Sequence, residues 1–183
     1  MPERLAMPIA ARREQLLRDS RAILRLKELD LPVVALIPGV CMGAGLSLAL
    51  ACDLRLCSQS ATFGAVFHRV GLSADFGLSW LLPHAVGPAK AMHMLMTAAV
   101  LGAEEAKDCG LVHEVHTGGE LEAAALSLCE KLARGPKLAQ TMTKRALGRS
   151  ATVDLATMIE WEAHSQSLLS KTQDAAEGVL AFA

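Results

Sequence analysis

Hydrophobic and polar positions repeat with two different periods in the first half of the chain. Over residues 9–29, apolar residues recur at helical spacing among charged ones, which predicts an amphipathic helix. Residues 32–37 form a short run rich in β-branched side chains, typical of a buried strand. A second helix is predicted to start within 43–45, and residues 53–57 alternate as a half-buried strand does. Strand, helix, strand is the order of a right-handed α/β crossover.

The rest of the chain is predicted to be mostly helical. Extended segments are expected at residues 62–63, 66–70 and 111–115. Helices are predicted at residues 78–86 with an interruption at Pro83, and at 88–98, 103–109, 120–134, 136–147, 153–169 and 172–182. The pattern therefore predicts an α/β core over residues 1–116, followed by a helical region over 117–183.

Composition narrows the function classes. A length of 183 residues suits one domain, and 52% hydrophobic residues is rich enough that part of the apolar surface is expected to contact other subunits. The net charge is -1 with both signs interspersed, so the basic patch that nucleic acids require is absent. We therefore expect no nucleic-acid partner.

Cysteine and histidine usage indicates a reduced compartment and no metal. The five cysteines form no Cys-x-x-Cys pair, and the six histidines have no metal-ligand spacing. Residues 1–8 contain no long apolar stretch, and the longest apolar runs are too short to cross a bilayer. These features predict a cytoplasmic protein with no membrane partner and no bound metal.

A glycine-dense turn follows the first predicted strand, within residues 37–45. Glycines allow positive φ and close approach of a ligand, and the free N–H groups of a helix start stabilise a phosphate or a developing oxyanion. The alternative is tight packing of a helix on a strand through small residues. Both interpretations remain open at this point.

The residue spacing of this turn can be compared with three other kinds of site. A dinucleotide fingerprint needs glycine where Leu48 stands, and a phosphate loop needs a Lys that this segment lacks. Ser47 lies inside the helix rather than at the turn itself, where a hydrolase nucleophile would be. Hydride transfer, nucleotide hydrolysis and serine hydrolysis are thus disfavoured.

Asp75 is a single carboxylate among apolar residues at the opening of a predicted helix. Burial there would raise its pKa toward a value useful to a general base. The alternative is that Asp75 or Ser73 caps the following helix. The residue types alone do not decide between the two roles.

Residues 31–55, LPVVALIPGVCMGAGLSLALACDLR, resemble the signature segment of the enoyl-CoA hydratase/isomerase, or crotonase, family. The landmarks at residues 62–64, 81–87, 103–112 and 173–178 match that family in order and spacing. The resemblance runs from residue 19 to the C-terminus. It is more specific for the family than for the reaction.

The resemblance implies a spiral of ββα units followed by helices that form a homotrimer or a dimer of trimers. It implies an acyl-CoA thioester as partner and no separate cofactor, because CoA is part of the substrate. The thioester oxygen would lie between two backbone N–H groups. One of them would be that of Ala44, with Gly43 and Gly45 beside it in the substrate site, which agrees with an oxyanion-binding helix start.

Two positions depart from the family's hydratases, which carry two glutamates that activate and protonate water. Ser47 and Phe67 stand at those positions and cannot do that work. Residues 73–83 are instead similar to the phenylacetate-pathway isomerase branch, in which an Asp at the place of Asp75 shuttles protons. The resemblance thus implies an enoyl-CoA isomerase with Asp75 as catalytic residue.

The acyl chain would contact apolar side chains. Phe67, Phe76 and Trp80 are the candidates. Which acyl group they accept is beyond what one sequence indicates.

The N-terminal segment matches nothing in the family, which normally begins with further strand-rich units that supply the second oxyanion N–H. We therefore expect an N-terminally shortened member. Losing one such donor costs about 3 to 4 kcal/mol of transition-state stabilisation. The alternative functions are a catalytically impaired acyl-CoA-binding or oligomerising subunit and, after it, a hydratase.

Overall fold

A computed structural model of the chain describes residues 6–182. The interpretation of residues 1–8 as free of a leader rests partly on residues 1–5, which lie outside this range. The chain divides into two compact units, Met1–Leu29 with Val33–Ser127, and Asp30–Pro32 with Leu128–Ala183. We call them the α/β unit and the helical unit. The sequence-based division at residues 116 and 117 stays a prediction.

The α/β unit contains six strands and most of its helices lie between them. In chain order its elements are α1 (Ile9–Glu28), β1 (Val34–Ile37), β2 (Val40–Met42), α2 (Ala44–Ala51), β3 (Leu54–Ser58), β4 (Thr62–Gly64), a 3₁₀ helix (Val66–Val70), α3 (Leu78–Val86), α4 (Pro88–Thr97), β5 (Val100–Gly102), α5 (Ala103–Asp108) and β6 (Glu114–His116). Helix α6 (Leu121–Ala133) begins in this unit and ends in the helical unit.

The strands form two three-stranded sheets. One has the order β1-β3-β6, all parallel, and the other has the order β2-β4-β5, with β2 parallel and β5 antiparallel to β4. The first four strands therefore alternate between the sheets, β1 and β3 in the first and β2 and β4 in the second, while β5 stays in the second and β6 returns to the first. This alternation is what a repeated strand-strand-helix unit produces, and it confirms the predicted α/β architecture.

The core of the α/β unit lies between the sheets and the helices. Strand β3 is buried on both faces from Arg55 to Ser58, as expected of a strand in a parallel sheet covered on both sides. The largest fully buried apolar side chains are Phe63, Leu46, Leu56, Leu78, Leu82, Met94 and Leu111. Most come from strand and helix positions with apolar periodicity, so burial of these faces holds the unit together.

Four local predictions were wrong in detail. Residues 66–70 form a 3₁₀ helix rather than a strand, because Gly71 takes a left-handed conformation and donates to His68 O. Pro83 does not interrupt α3, since the carbonyl that it leaves without a donor belongs to the exposed Ser79. Strands β2 and β5 were not predicted, and β6 begins three residues later than expected.

The helical unit contains α7 (Lys137–Arg149), α8 (Leu155–Leu169) and α9 (Gln173–Phe182), close to the predicted bounds. Asp154 caps α8 by accepting the Thr157 N–H at 2.8 Å. Helix α7 binds Asp30 twice, through Thr141 Oγ1 to its carbonyl at 2.7 Å and through a bidentate Arg145 pair. Within residues 6–182, no helix combines the length and apolarity that a bilayer crossing requires.

Candidate active site

The glycine-dense turn joins β2 to α2. Gly43 has φ 54° and ψ −121°, a backbone conformation that essentially only glycine adopts. Its N–H donates to Gly64 O at 2.9 Å, and its carbonyl accepts the Ser47 N–H at 3.1 Å. A Cβ on Gly43 would lie 3.5 Å from the Phe67 ring. That distance is an ordinary van der Waals contact, so it is the backbone conformation that requires glycine here.

Ala44 is the first residue of α2, so its N–H has no acceptor inside the helix. Among residues 6–182 it makes no backbone hydrogen bond elsewhere. A Cβ added to the adjacent Gly45 would meet no atom within 4 Å. Tight packing of small residues therefore explains neither glycine: the positive φ requires Gly43, and at Gly45 the helix start borders open space.

Asp75 precedes a tight turn with two positive φ angles, 51° at Phe76 and 74° at Gly77. The Leu78 N–H closes this turn on Asp75 O at 3.1 Å. Helix α3 then begins at Leu78 with Gly77 as its N-cap residue. Neither Asp75 nor Ser73 occupies the capping position. The Asp75 side chain is half-buried, and its Oδ1 is shielded from solvent.

Ser47 connects the two segments. Its side chain is fully buried, and its Oγ lies 3.5 Å from Gly43 O and 3.4 Å from Asp75 O. The helix that starts at Ala44 and the segment that carries Asp75 are thus held next to each other. The contact between Ser47 and the main chain of Asp75 spans 28 positions of sequence.

The three predicted aromatic contacts differ in their surroundings. Phe67 lies over Gly43, and Phe76 packs against the core as a half-buried side chain. Trp80 is 46% exposed and stacks on His84, with ring centroids 4.1 Å apart. A role in substrate binding stays a prediction for all three.

Cys41 lies on β2 two residues before Gly43. Burial, with a smaller contribution from Cys57, raises the pKa of the Cys41 thiol to about 11. A thiol with that pKa is protonated at neutral pH and is therefore a poor nucleophile. In the described part of the chain, no three His, Cys, Asp or Glu side chains are grouped as metal ligands.

Sequence reasoning missed a buried arginine on β3. Arg55 Nε donates to Leu111 O at 2.6 Å and its Nη1 to Cys52 O at 2.9 Å, while its own N–H donates to His113 Nδ1 at 3.1 Å. Burial lowers the pKa of Arg55, and burial followed by the Arg55 charge lowers the pKa of His113. A charged residue in an otherwise apolar strand was the available signal.

Comparison with known proteins places this geometry in a family. The enoyl-CoA hydratase/isomerase model matches residues 9–183. The "Probable enoyl-CoA hydratase" of Rhodobacter capsulatus is 40% identical over 83% of this chain and 59% of its own length. The 1,2-epoxyphenylacetyl-CoA isomerase of Escherichia coli is 35% identical over 86% of this chain and 60% of its own.

A solved structure gives the same result. The enoyl-CoA hydratase/isomerase of Cupriavidus metallidurans superposes with a TM-score of 0.94 at 34% identity, covering 99% of this chain and 68% of that one. The chain spans 59% and 60% of the two curated relatives. Sequence, fold and the geometry of the glycine turn agree: the chain belongs to the enoyl-CoA hydratase/isomerase (crotonase) family.

Proposed function

We propose that this chain is an acyl-CoA isomerase, in which Asp75 moves a proton and the Ala44 N–H stabilises the thioester enolate. The observation that carries the proposal is the Ser47 bridge, because it holds the Asp75 segment against the start of α2. The open surroundings of Gly45 leave room there for a ligand. The N-cap residue of α3 is Gly77, whereas capping by Asp75 was the main alternative to a catalytic role.

The proposed reaction is a proton shift along an enoyl-CoA. The thioester oxygen accepts a hydrogen bond from the Ala44 N–H, and the Asp75 carboxylate removes a proton activated by the thioester. The C–H electron pair enters the conjugated enolate, whose negative charge rests on the oxygen. The same carboxyl then returns the proton to another carbon, so the double bond moves without an oxidant or added water.

The two positions that the resemblance associates with water activation support isomerisation. Ser47 is fully buried and its hydroxyl lies against two main-chain carbonyls, while Phe67 places a ring over Gly43. Neither side chain is a base at neutral pH. Asp75 remains the carboxylate in this neighbourhood for which we propose proton transfer.

A hydratase is the second candidate, and the name of the Rhodobacter capsulatus relative favours it. Hydration would use Asp75 to activate water instead of shuttling a substrate proton. A catalytically impaired acyl-CoA-binding or oligomerising subunit is the third, the alternative already stated from the sequence. The three differ in what they do to the acyl chain.

Isotope incorporation separates these candidates. Purified protein would be incubated with a panel of unsaturated acyl-CoAs in D₂O and, in parallel, in H₂¹⁸O, followed by mass spectrometry. An isomerase places deuterium on carbon and no ¹⁸O on the chain. Incorporation of ¹⁸O would favour the hydratase, and binding with neither label would favour the non-catalytic subunit.

Assembly and location form part of the same proposal. We propose a homotrimer or a dimer of trimers in the cytoplasm, with no nucleic acid or membrane as partner. Exposed apolar side chains on the helical unit, such as Leu155 and Leu180, support an assembly that covers them. Light scattering across a concentration series tests it, and a monomer at every concentration would contradict it.

A further inference from the structure

The Ser47 hydroxyl has an unusual position between two carbonyls. Its Oγ is 3.5 Å from Gly43 O, one turn back in α2, and 3.4 Å from Asp75 O on the other segment. Both distances are longer than the roughly 2.5–3.0 Å of a well-formed O–H···O hydrogen bond, so each contact is weak in this geometry. Because the hydroxyl carries one proton, it can donate fully to only one carbonyl at a time. A small rotation or shift would favour either partner.

Both carbonyls already have one backbone partner. Gly43 O accepts the Ser47 N–H at 3.1 Å, and Asp75 O accepts the Leu78 N–H at 3.1 Å. The hydroxyl is therefore not needed to satisfy an otherwise bare carbonyl. Its side chain is 0% exposed, so solvent does not replace the link between the segments once the hydroxyl is removed.

The segment that Ser47 contacts is strained. Phe76 takes φ 51°, a region that residues with a Cβ rarely adopt, and Gly77 follows with φ 74°. Such backbone is strained and persists where the surroundings hold it, typically at functional sites. Ser47 supplies a polar restraint on this turn from outside it.

From this arrangement we infer that Ser47 is a positioning residue, which sets the place of the Asp75 carboxylate relative to the Ala44 N–H. The inference rests on the proposed function and adds to it a residue that contacts no substrate. Ser47 acts through the main chain of Asp75. Its effect is expected in the proton-transfer step rather than in the binding of acyl-CoA.

The experiment compares Ser47→Ala with Ser58→Ala. Ser58 is also buried in the α/β unit, and its Oγ donates to a main-chain carbonyl, Pro38 O, at 2.8 Å. Each substitution removes one buried hydroxyl, but only the first removes the contact with Asp75. Ser47→Cys, which keeps a weak donor of similar size, provides the conservative variant.

Three quantities would be measured for each variant: kcat and KM for deuterium incorporation, the melting temperature, and amide hydrogen exchange of the peptide covering residues 73–80. For Ser47→Ala we expect kcat to fall about tenfold, the equivalent of about 1.4 kcal/mol, with KM within about twofold. Exchange in residues 73–80 should rise. Ser47→Cys should give values of kcat and of hydrogen exchange between those of Ser47→Ala and the wild type. Ser58→Ala should lower the melting temperature but change neither kcat nor the exchange of residues 73–80.

Equal kcat in Ser47→Ala and wild type, or the same loss in both alanine variants, would overturn the inference. If the wild-type protein moves no proton, the proposed function fails separately. The hydrogen-exchange result then still decides whether Ser47 restrains the Asp75 turn. Unchanged exchange over residues 73–80 in Ser47→Ala would overturn that restraint.

Discussion

The two units of this protein bury different sets of side chains. Every buried apolar side chain among residues 6–181 lies in the α/β unit, which also buries the polar residues Ser47, Arg55 and Ser58. The buried residues of the helical unit, within the same range, are Thr141 and Ser165, both polar. The α/β unit is therefore organised around an apolar core. At the buried positions of the helical unit the side chains make hydrogen bonds instead, Thr141 to Asp30 O and Ser165 to Met142 Sδ.

The difference matters for how each unit works. A close-packed apolar core fixes backbone positions, which the site at Gly43 and Asp75 requires. Both units also leave large apolar side chains exposed; in the helical unit these are Leu31, Leu138, Leu147, Leu155, Ile159, Leu168, Val179 and Leu180. Where such side chains form a contiguous patch, another chain typically covers them, which is the basis of the proposed assembly.

The sharpest contrast is between Phe63 and Leu155. Phe63→Ala should lower the free energy of unfolding by about 3–5 kcal/mol, because it empties a fully buried ring site. Leu155→Ala should change it by less than about 0.5 kcal/mol, since that side chain is 75% exposed. Urea unfolding at low protein concentration measures both. Similar decreases in the free energy of unfolding for Phe63→Ala and Leu155→Ala would contradict this contrast between the two units.

Gly64 tests how tightly the α/β unit is packed around the site. A Cβ there would lie 2.8 Å from Met42 Sδ and 3.0 Å from Val66 Cγ1, so Gly64→Ala should cost about 1–3 kcal/mol of stability. Gly102 on the neighbouring strand β5 has no atom within 4 Å of a Cβ. Gly102→Ala is therefore the matched control. Thermal unfolding with equal shifts in both variants would contradict the packing argument.

Thr141 tests the polar anchoring of the helical unit. Its buried Oγ1 donates to Asp30 O at 2.7 Å, and Thr141→Val should cost about 1 kcal/mol by removing that bond at nearly constant shape. Thr143, exposed on the same helix, gives the control Thr143→Val. If chemical denaturation detects no difference between the two, hydrogen bonding does not organise this unit as argued.

The smallest expected effect is a pH dependence at His113. Burial and the Arg55 charge lower the pKa of His113 in the folded protein below its ordinary value of 6.5. As the pH falls below 6.5, the imidazole therefore takes up a proton in the unfolded state before it does so in the folded state. The free energy of unfolding should decrease as the pH falls through this range and should be fully present above it. His113→Gln should flatten that slope in melting curves between pH 5 and about 7. The control is His93→Gln. If the pH dependence of the melting temperature is the same in His113→Gln, His93→Gln and the wild type, His113 does not contribute to it.

The sequence predicted the elements whose periodicity is long enough to read. Helices such as α1 and α8 contain several turns of apolar repeat, and the glycine turn was identified from its spacing. Strands β2 and β5 have only three residues each, too few for a period of two to be distinguished from a loop. Their strand conformation depends on pairing with β4.

The sequence indicated candidate site residues but not the contacts that surround them. Ala44, Gly43 and Asp75 were identified from motif and resemblance, while the role of Ser47 was not. The contact between Ser47 and Asp75 spans 28 positions, and that between Arg55 and Leu111 spans 56. The residues next to Ser47 and Arg55 in the sequence do not indicate which distant residue each side chain contacts. Such contacts follow from the packing of distant segments, which one sequence does not encode in any short window.

The most direct test of the central claim is Asp75→Asn, which keeps the size of the side chain and removes its ability to take up a proton at neutral pH. Deuterium incorporation into an unsaturated acyl-CoA would be followed together with acyl-CoA affinity and melting temperature. The account predicts a loss of at least about a hundredfold in incorporation, with affinity and melting temperature near those of the wild type. Incorporation at the wild-type rate in Asp75→Asn would contradict it.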